Sequence, residues 1–117
     1  MTDLSQETCC VCEIGTPTLS DDQQIELLKD LDGWDIDRAN ISRLVKVFKF
    51  KNYKQPLQFA NLIASLAESQ NHHPKIIIEW GEVTLEWWSH NIKGLHKNDF
   101  ICAAKSDKFY DKSIKAL

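Results

Sequence analysis

Glycine and proline are scarce in this chain, four and three among 117 residues, which excludes collagenous and low-complexity polypeptides that need them in bulk. Long apolar runs are missing too. Nothing approaches the ~18 uninterrupted hydrophobic residues of a membrane-spanning helix, so no membrane association is expected. The opening Met1-Thr-Asp-Leu-Ser-Gln-Glu places acids where a secretory leader carries a basic and then an apolar segment, and a cytoplasmic protein is the expectation. Zinc-finger spacing and an aromatic RNA-binding signature are also absent. What remains, 43% hydrophobic and 26% charged residues, is ordinary globular usage, enough for one domain but not for separate cofactor and substrate domains.

Charge is unevenly placed. Residues 1–37 hold ten acids against the single Lys29, and residues 38–117 hold 13 Lys and Arg against seven acids. A basic half can suit nucleic acid, but these cations are spaced singly, as at Lys46, Lys49, Lys51 and Lys54, like solvated faces. Nucleic-acid binding is not expected. Three of the four cysteines crowd into Cys9-Cys10-Val11-Cys12 and the fourth is Cys102. Cys9 and Cys12 have the spacing of half a zinc site or a redox pair, yet no second pair follows at ligand spacing. Residues 1–18 therefore read as a flexible arm with free thiols, metal binding or intermolecular oxidation being the alternatives. Cys102 reads as a small apolar filler on a helix.

Residues 19–117 read as a single domain. Ser20-Asp21-Asp22-Gln23 has the form of a capping box, Ile25, Leu27, Leu28 and Leu31 supply an apolar stripe, and Gly33 suits the left-handed residue after a helix. Trp34–Asp37 and Ile41–Phe50 read as a hairpin. Apolar positions from Leu57 to Ala67 follow helical spacing within a helix over about 53–71, and Pro74 disfavours helical geometry at His73. Lys75–Trp80 and Val83–Ser89 flank Gly81-Glu82, a two-residue turn signal. A last helix starts near Lys97, with Phe100, Ala103, Ala104, Tyr110 and Ile114 as its inner side. The order α-β-β-α-β-β-α predicts a two-layer α+β fold, a four-stranded antiparallel sheet with helices packed on one face.

All four histidines fall between positions 72 and 96. Glu68, four residues before His72, can orient that ring if the helix reaches it. His90 closes the neighbouring strand, so one sheet end can gather three imidazoles. Three readings stay open from spacing alone: unrelated end-of-element residues, a tri-histidine metal site without the usual ligand spacing, and metal-free acid/base catalysis, which suits imidazole with its pKa of about 6.5.

The segment Glu68-Ser-Gln-Asn-His72-His73-Pro74, followed by Trp80, His90 and Asp99, resembles the signature of the pterin-4a-carbinolamine dehydratases. Gly33-Trp34, Phe48-Lys49-Phe50 and Trp87-Trp88-Ser89-His90 with Gly94-Leu95 look like the bacterial branch, and the resemblance covers about residues 19–112. It implies a hydro-lyase that dehydrates 4a-hydroxytetrahydropterin to quinonoid dihydropterin, without metal or other cofactor. It further implies that His72, His73 and His90 line the pterin site, with His73 and His90 as the proton-transfer pair and His72 positioning the ring. Asn71, Ser89 and Asn91 are implied substrate contacts and Trp34 a pocket wall. Glu68 either sets a histidine's charge or is an exposed helix carboxylate, and Asp99 is read chiefly as a helix cap. His96 is expected to cap that helix poorly. A homodimer or homotetramer and a functional link to phenylalanine hydroxylase are implied as well. The alternative is a binding or dimerisation module that acts as a transcriptional or hydroxylase-regulating partner.

Overall fold

A computed structural model describes residues 4–9 and 15–115, the last two by backbone alone. Cys10, Cys12 and the side chain of Ile114 lie outside the described residues. Ser20 caps α1 (Asp21–Leu28): its Oγ accepts the Gln23 N–H at 3.2 Å, and Gln23 Oε1 accepts the Ser20 N–H at 2.9 Å. The helix ends at Leu28, earlier than the sequence suggests. Gly33 does adopt a left-handed conformation, φ 80°, but it turns the chain into β1 (Asp35–Asp37) rather than closing the helix.

β1 pairs antiparallel with β2 (Arg43–Lys49), Ile36 lying opposite Leu44. Then comes α2 (Lys54–Gln70), with Pro56 in its first turn, where a missing N–H costs nothing. β3 (Lys75–Glu79) and β4 (Glu82–Trp87) form the second hairpin. Its turn is Trp80-Gly81, one residue earlier than expected, because Glu79 pairs with Glu82. Gly81 has φ 74°, and a Cβ there would meet the Phe50 carbonyl oxygen at 3.3 Å. That carries Gly81 close enough for its own carbonyl to accept the Phe50 N–H at 2.8 Å. A short 3-10 turn, His90–Ile92, leads to α3 (Lys97–Lys115).

The sheet order is β1-β2-β4-β3, antiparallel throughout, so the expected α+β fold and element order are as observed. Period-two alternation sends Leu44 and Phe48 of β2 and Val83, Leu85 and Trp87 of β4 to one face, where all five are buried. Phe59, Ile63 and Leu66 of α2, with Phe100, Cys102 and Ala103 of α3, share their core. Each large side chain so covered contributes roughly 1.5–3 kcal/mol. The opposite face is open, with Val47 and Ile77 exposed.

Trp34 belongs to this core. It is buried, packs edge-on against Phe48 at 5.8 Å, and its indole N–H donates to both carboxylate oxygens of Asp107. The expectation that it walls a pocket is corrected: the short β1 aims the ring under the sheet.

The loose arm expected over residues 1–18 is corrected for its first described part. Leu4–Gln6 form a 3-10 turn against α3, and Leu4 enters the core. Lys105 Nζ donates to the Ser5 carbonyl at 2.8 Å, Lys97 pairs with Glu7 at 2.9 Å, and the Cys9 N–H donates to Gln70 Oε1 at 3.0 Å. A core leucine and long-range polar anchors hold this segment, and none of them creates a periodic pattern.

Candidate active site

The site begins where α2 stops. Asn71 takes a left-handed conformation, φ 50° and ψ 42°, and its N–H and that of His72 bond back to Glu68 and Ala67 carbonyls. Asparagine tolerates this conformation better than most residues, and the paired bonds satisfy carbonyls that a helix end leaves open. The turn throws the two adjacent histidines in different directions.

His72 goes inward. It is buried, stacks parallel to Trp87 at 5.8 Å and 7°, and places Nε2 2.6 Å from Oδ1 of Asp99. His73 points out, with Nε2 3.5 Å from Oε1 of Glu68. Glu68 thus partners His73 rather than His72, a correction that follows from the reversal at Asn71.

Asp99 is fully buried and accepts on both oxygens. Oδ2 takes the Ser89 hydroxyl at 2.9 Å and the His96 backbone N–H at 2.9 Å, while Oδ1 faces His72. It therefore caps α3 and holds an imidazole with one carboxylate. His96 is a competent cap after all: its Nδ1 accepts the Asn98 N–H at 3.1 Å, completing a reciprocal arrangement like a capping box. Burial alone would lower the His72 pKa, but the Asp99 hydrogen bond and charge, aided by Cys9, outweigh it and leave His72 above the ordinary histidine value.

His90 stands in the 3-10 turn with its ring 4.3 Å from that of Trp88. Its Nε2 lies 3.2 Å from the His73 carbonyl oxygen. A carbonyl only accepts, so Nε2 carries the proton and the lone pair of a neutral ring sits on Nδ1.

These three imidazoles line one cavity of about 580 Å³ with Asn71, Ser89 and Asn91, a size ordinary for small-molecule sites. Asn71 and Asn91 are exposed at the mouth. Ser89 is buried; its hydroxyl is given to Asp99, and its backbone N–H and carbonyl bond to Gly94 at 2.8 and 3.4 Å. Its hydroxyl orients Asp99 while the residue still lines the cavity. Thr8, Cys9, Gln70 and Asn98 also line the cavity, a place at the site that the sequence reading does not give them. Asn98 adjoins Asp99 in the motif, but nothing in the aperiodic N-terminal residues signals that Thr8 and Cys9 return to the site. Among the described residues, no group of three or more His, Cys, Asp or Glu side chains is arranged to hold a metal ion, and no helix is long and apolar enough to cross a membrane.

A two-layer α+β domain with an imidazole-lined cavity at one sheet end defines a class, and similarity assigns the family. The family model described as pterin 4 alpha carbinolamine dehydratase matches residues 17–109. A protein of Vibrio vulnificus (strain YJ016) named as a pterin-4-alpha-carbinolamine dehydratase is 55% identical over 106 residues, covering 90% of this chain and 96% of its own. A protein of Saccharophagus degradans bearing the same name is 47% identical over 112 residues, covering 95% and 99%. Among solved structures, a transcriptional coactivator/pterin dehydratase from Brucella melitensis superposes with a TM-score of 0.74 at 26% identity, covering 80% of this chain and 98% of that one. The chain belongs to the pterin-4a-carbinolamine dehydratase family, a family of hydro-lyases.

Proposed function

We infer that this protein dehydrates 4a-hydroxytetrahydropterin to quinonoid dihydropterin by histidine acid/base catalysis. The carrying observation is the convergence of His72, His73 and His90 on one cavity. Water leaves as the C4a–O bond breaks and N5 gives up its proton. One group must accept that proton and another must donate to the departing hydroxyl. His90 suits the base, since its Nε2 is committed to the His73 carbonyl and Nδ1 is left to accept. His73 supplies the proton to the hydroxyl, with the Glu68 carboxylate 3.5 Å behind it. His72, biased toward imidazolium by Asp99, positions the pterin through the ring nitrogen that Asp99 does not engage. Asn71 and Asn91 offer amides at the mouth. The reaction neither oxidises nor reduces the substrate, so its electron balance calls for no redox cofactor.

The product would re-enter the cofactor cycle of an aromatic amino-acid hydroxylase, with phenylalanine hydroxylase as the client, in the cytoplasm. A homodimer or homotetramer is the proposed assembly, supported by the free edge of β3 and its exposed Ile77 and Ile78. A second reading, a binding module, is favoured by the open sheet face bearing Val47 and Ile77 and by the coactivator half of the Brucella protein's name. Stopped-flow absorbance of freshly generated 4a-hydroxytetrahydropterin separates the two. Decay faster with the protein than in buffer supports the dehydratase, and equal rates reject it in favour of the binding module.

A further inference from the structure

Cys9 reaches the cavity from the N-terminal segment, and Cys102 lies on α3 beneath it. Their Sγ atoms are 3.5 Å apart. Cys9 is partly exposed and lines the cavity beside the histidines, whereas Cys102 is fully buried. A disulfide needs the sulfurs about 2.0 Å apart, so closing the pair asks for a short side-chain movement. Neither thiol accepts or donates a proton in the proposed acid/base step.

We propose that Cys9 and Cys102 form a peroxide-sensitive modification site whose oxidation ties the N-terminal wall of the cavity covalently to α3. In the first step the Cys9 thiolate attacks hydrogen peroxide. An S–O bond forms, the O–O bond breaks, and the departing hydroxide leaves as water with a solvent proton, so Cys9 becomes a sulfenic acid. In the second step Cys102 attacks that sulfur. The S–S bond forms, the S–O bond breaks, and the leaving hydroxide takes the Cys102 proton as water. The two sulfurs together lose two electrons and the peroxide gains them.

The surroundings favour this division of labour. The Cys102 thiol hydrogen-bonds to Cys9 and pulls it below its ordinary pKa against the effect of burial, with His72 adding to the pull. The same contact and burial push Cys102 up. Cys9, partly exposed in the cavity wall, is the thiol that meets the oxidant, and the buried Cys102 at 3.5 Å is placed to attack the resulting sulfenic acid. Gln70 holds the Cys9 backbone while this happens, through the 3.0 Å bond to its N–H. The site extends beyond the dehydratase reading and does not depend on it.

The test uses the 117-residue chain carrying Cys10→Ser and Cys12→Ser, in which Cys9 and Cys102 are the only cysteines, treated with hydrogen peroxide, alkylated under denaturing conditions and mapped by mass spectrometry. The expected result is loss of both free thiols within one chain and a linked pair of tryptic peptides, residues 1–29 with 98–105, restored to free thiols by dithiothreitol. The unsubstituted protein should give the same linked pair as its main product. A further Cys102→Ala change should leave Cys9 as a sulfenic acid that dimedone traps. An alkylated Cys102 after oxidation, or a link between separate chains, overturns the proposal.

Discussion

Nε2 of His72 and Oδ1 of Asp99 meet at 2.6 Å across 27 positions of sequence, both in buried side chains. The same carboxylate starts α3. Replacing it with the neutral amide, Asp99→Asn, removes the charge that offsets the burial of His72. The His72 pKa is expected to fall, stability to drop by about 2–4 kcal/mol from weakened charged hydrogen bonds and cap, and turnover to fall at least ~10-fold. Histidine titration by NMR together with urea denaturation checks this. An unmoved His72 titration would separate the two residues energetically.

A pH dependence follows with a defined sign. The folded-state pKa of His72 lies above the ordinary histidine value of about 6.5. The stabilisation from its protonated ring is fully present below that ordinary value and is lost as pH rises through the higher folded-state pKa. The urea midpoint should decline in the native chain as pH rises above the ordinary histidine value of about 6.5, with a flatter profile in Asp99→Asn. Parallel profiles would mean that the pair contributes nothing to folding.

His73 and His90 are exposed, so removing them should cost chemistry and not fold. His73→Ala and His90→Ala are each expected to lower kcat by about 10²–10⁴ with far-ultraviolet dichroism and Tm unchanged. His72→Ala should lower both, because its ring stacks on Trp87 in the buried layer. Rapid-mixing kinetics beside thermal melts distinguish these outcomes, and a native rate in His90→Ala would remove it from the proton path.

Trp34 gives the converse case. Trp34→Ala should cost about 3–5 kcal/mol as a core cavity, and the milder Trp34→Phe, which loses only the Asp107 bond and part of the ring, should keep KM for the pterin at its native value. A raised KM in Trp34→Phe would return the residue to the pocket.

Much of this architecture was legible in the sequence. The Ser20 cap, the apolar stripe of α2 and the alternation in β2 and β4 are local patterns, and each became the expected element. The convergence of His72, His73 and His90 could be anticipated from their places at element ends together with the family resemblance. Other features depend on contacts that no local pattern encodes. Which histidine meets Glu68 is decided by the left-handed Asn71, a single residue's backbone. The second hairpin turn slips by one residue because Gly81 also serves the Phe50 strand exit. Ser5 and Cys9 are held by partners 100 and 61 positions away, in a segment with no periodicity to read. Trp34 looked like a ligand platform by residue type, and its burial, its Phe48 contact and its Asp107 partner reveal it as structural.

The sharing of Asp99 between the first turn of α3 and the ring of His72 links assembly to reactivity. A chain whose last helix starts in the wrong place also leaves its innermost imidazole without a counter-ion. Misassembled molecules should consequently be inert toward the substrate rather than promiscuous, and substitutions around residues 96–99 chosen to alter rate will register as changes in foldability.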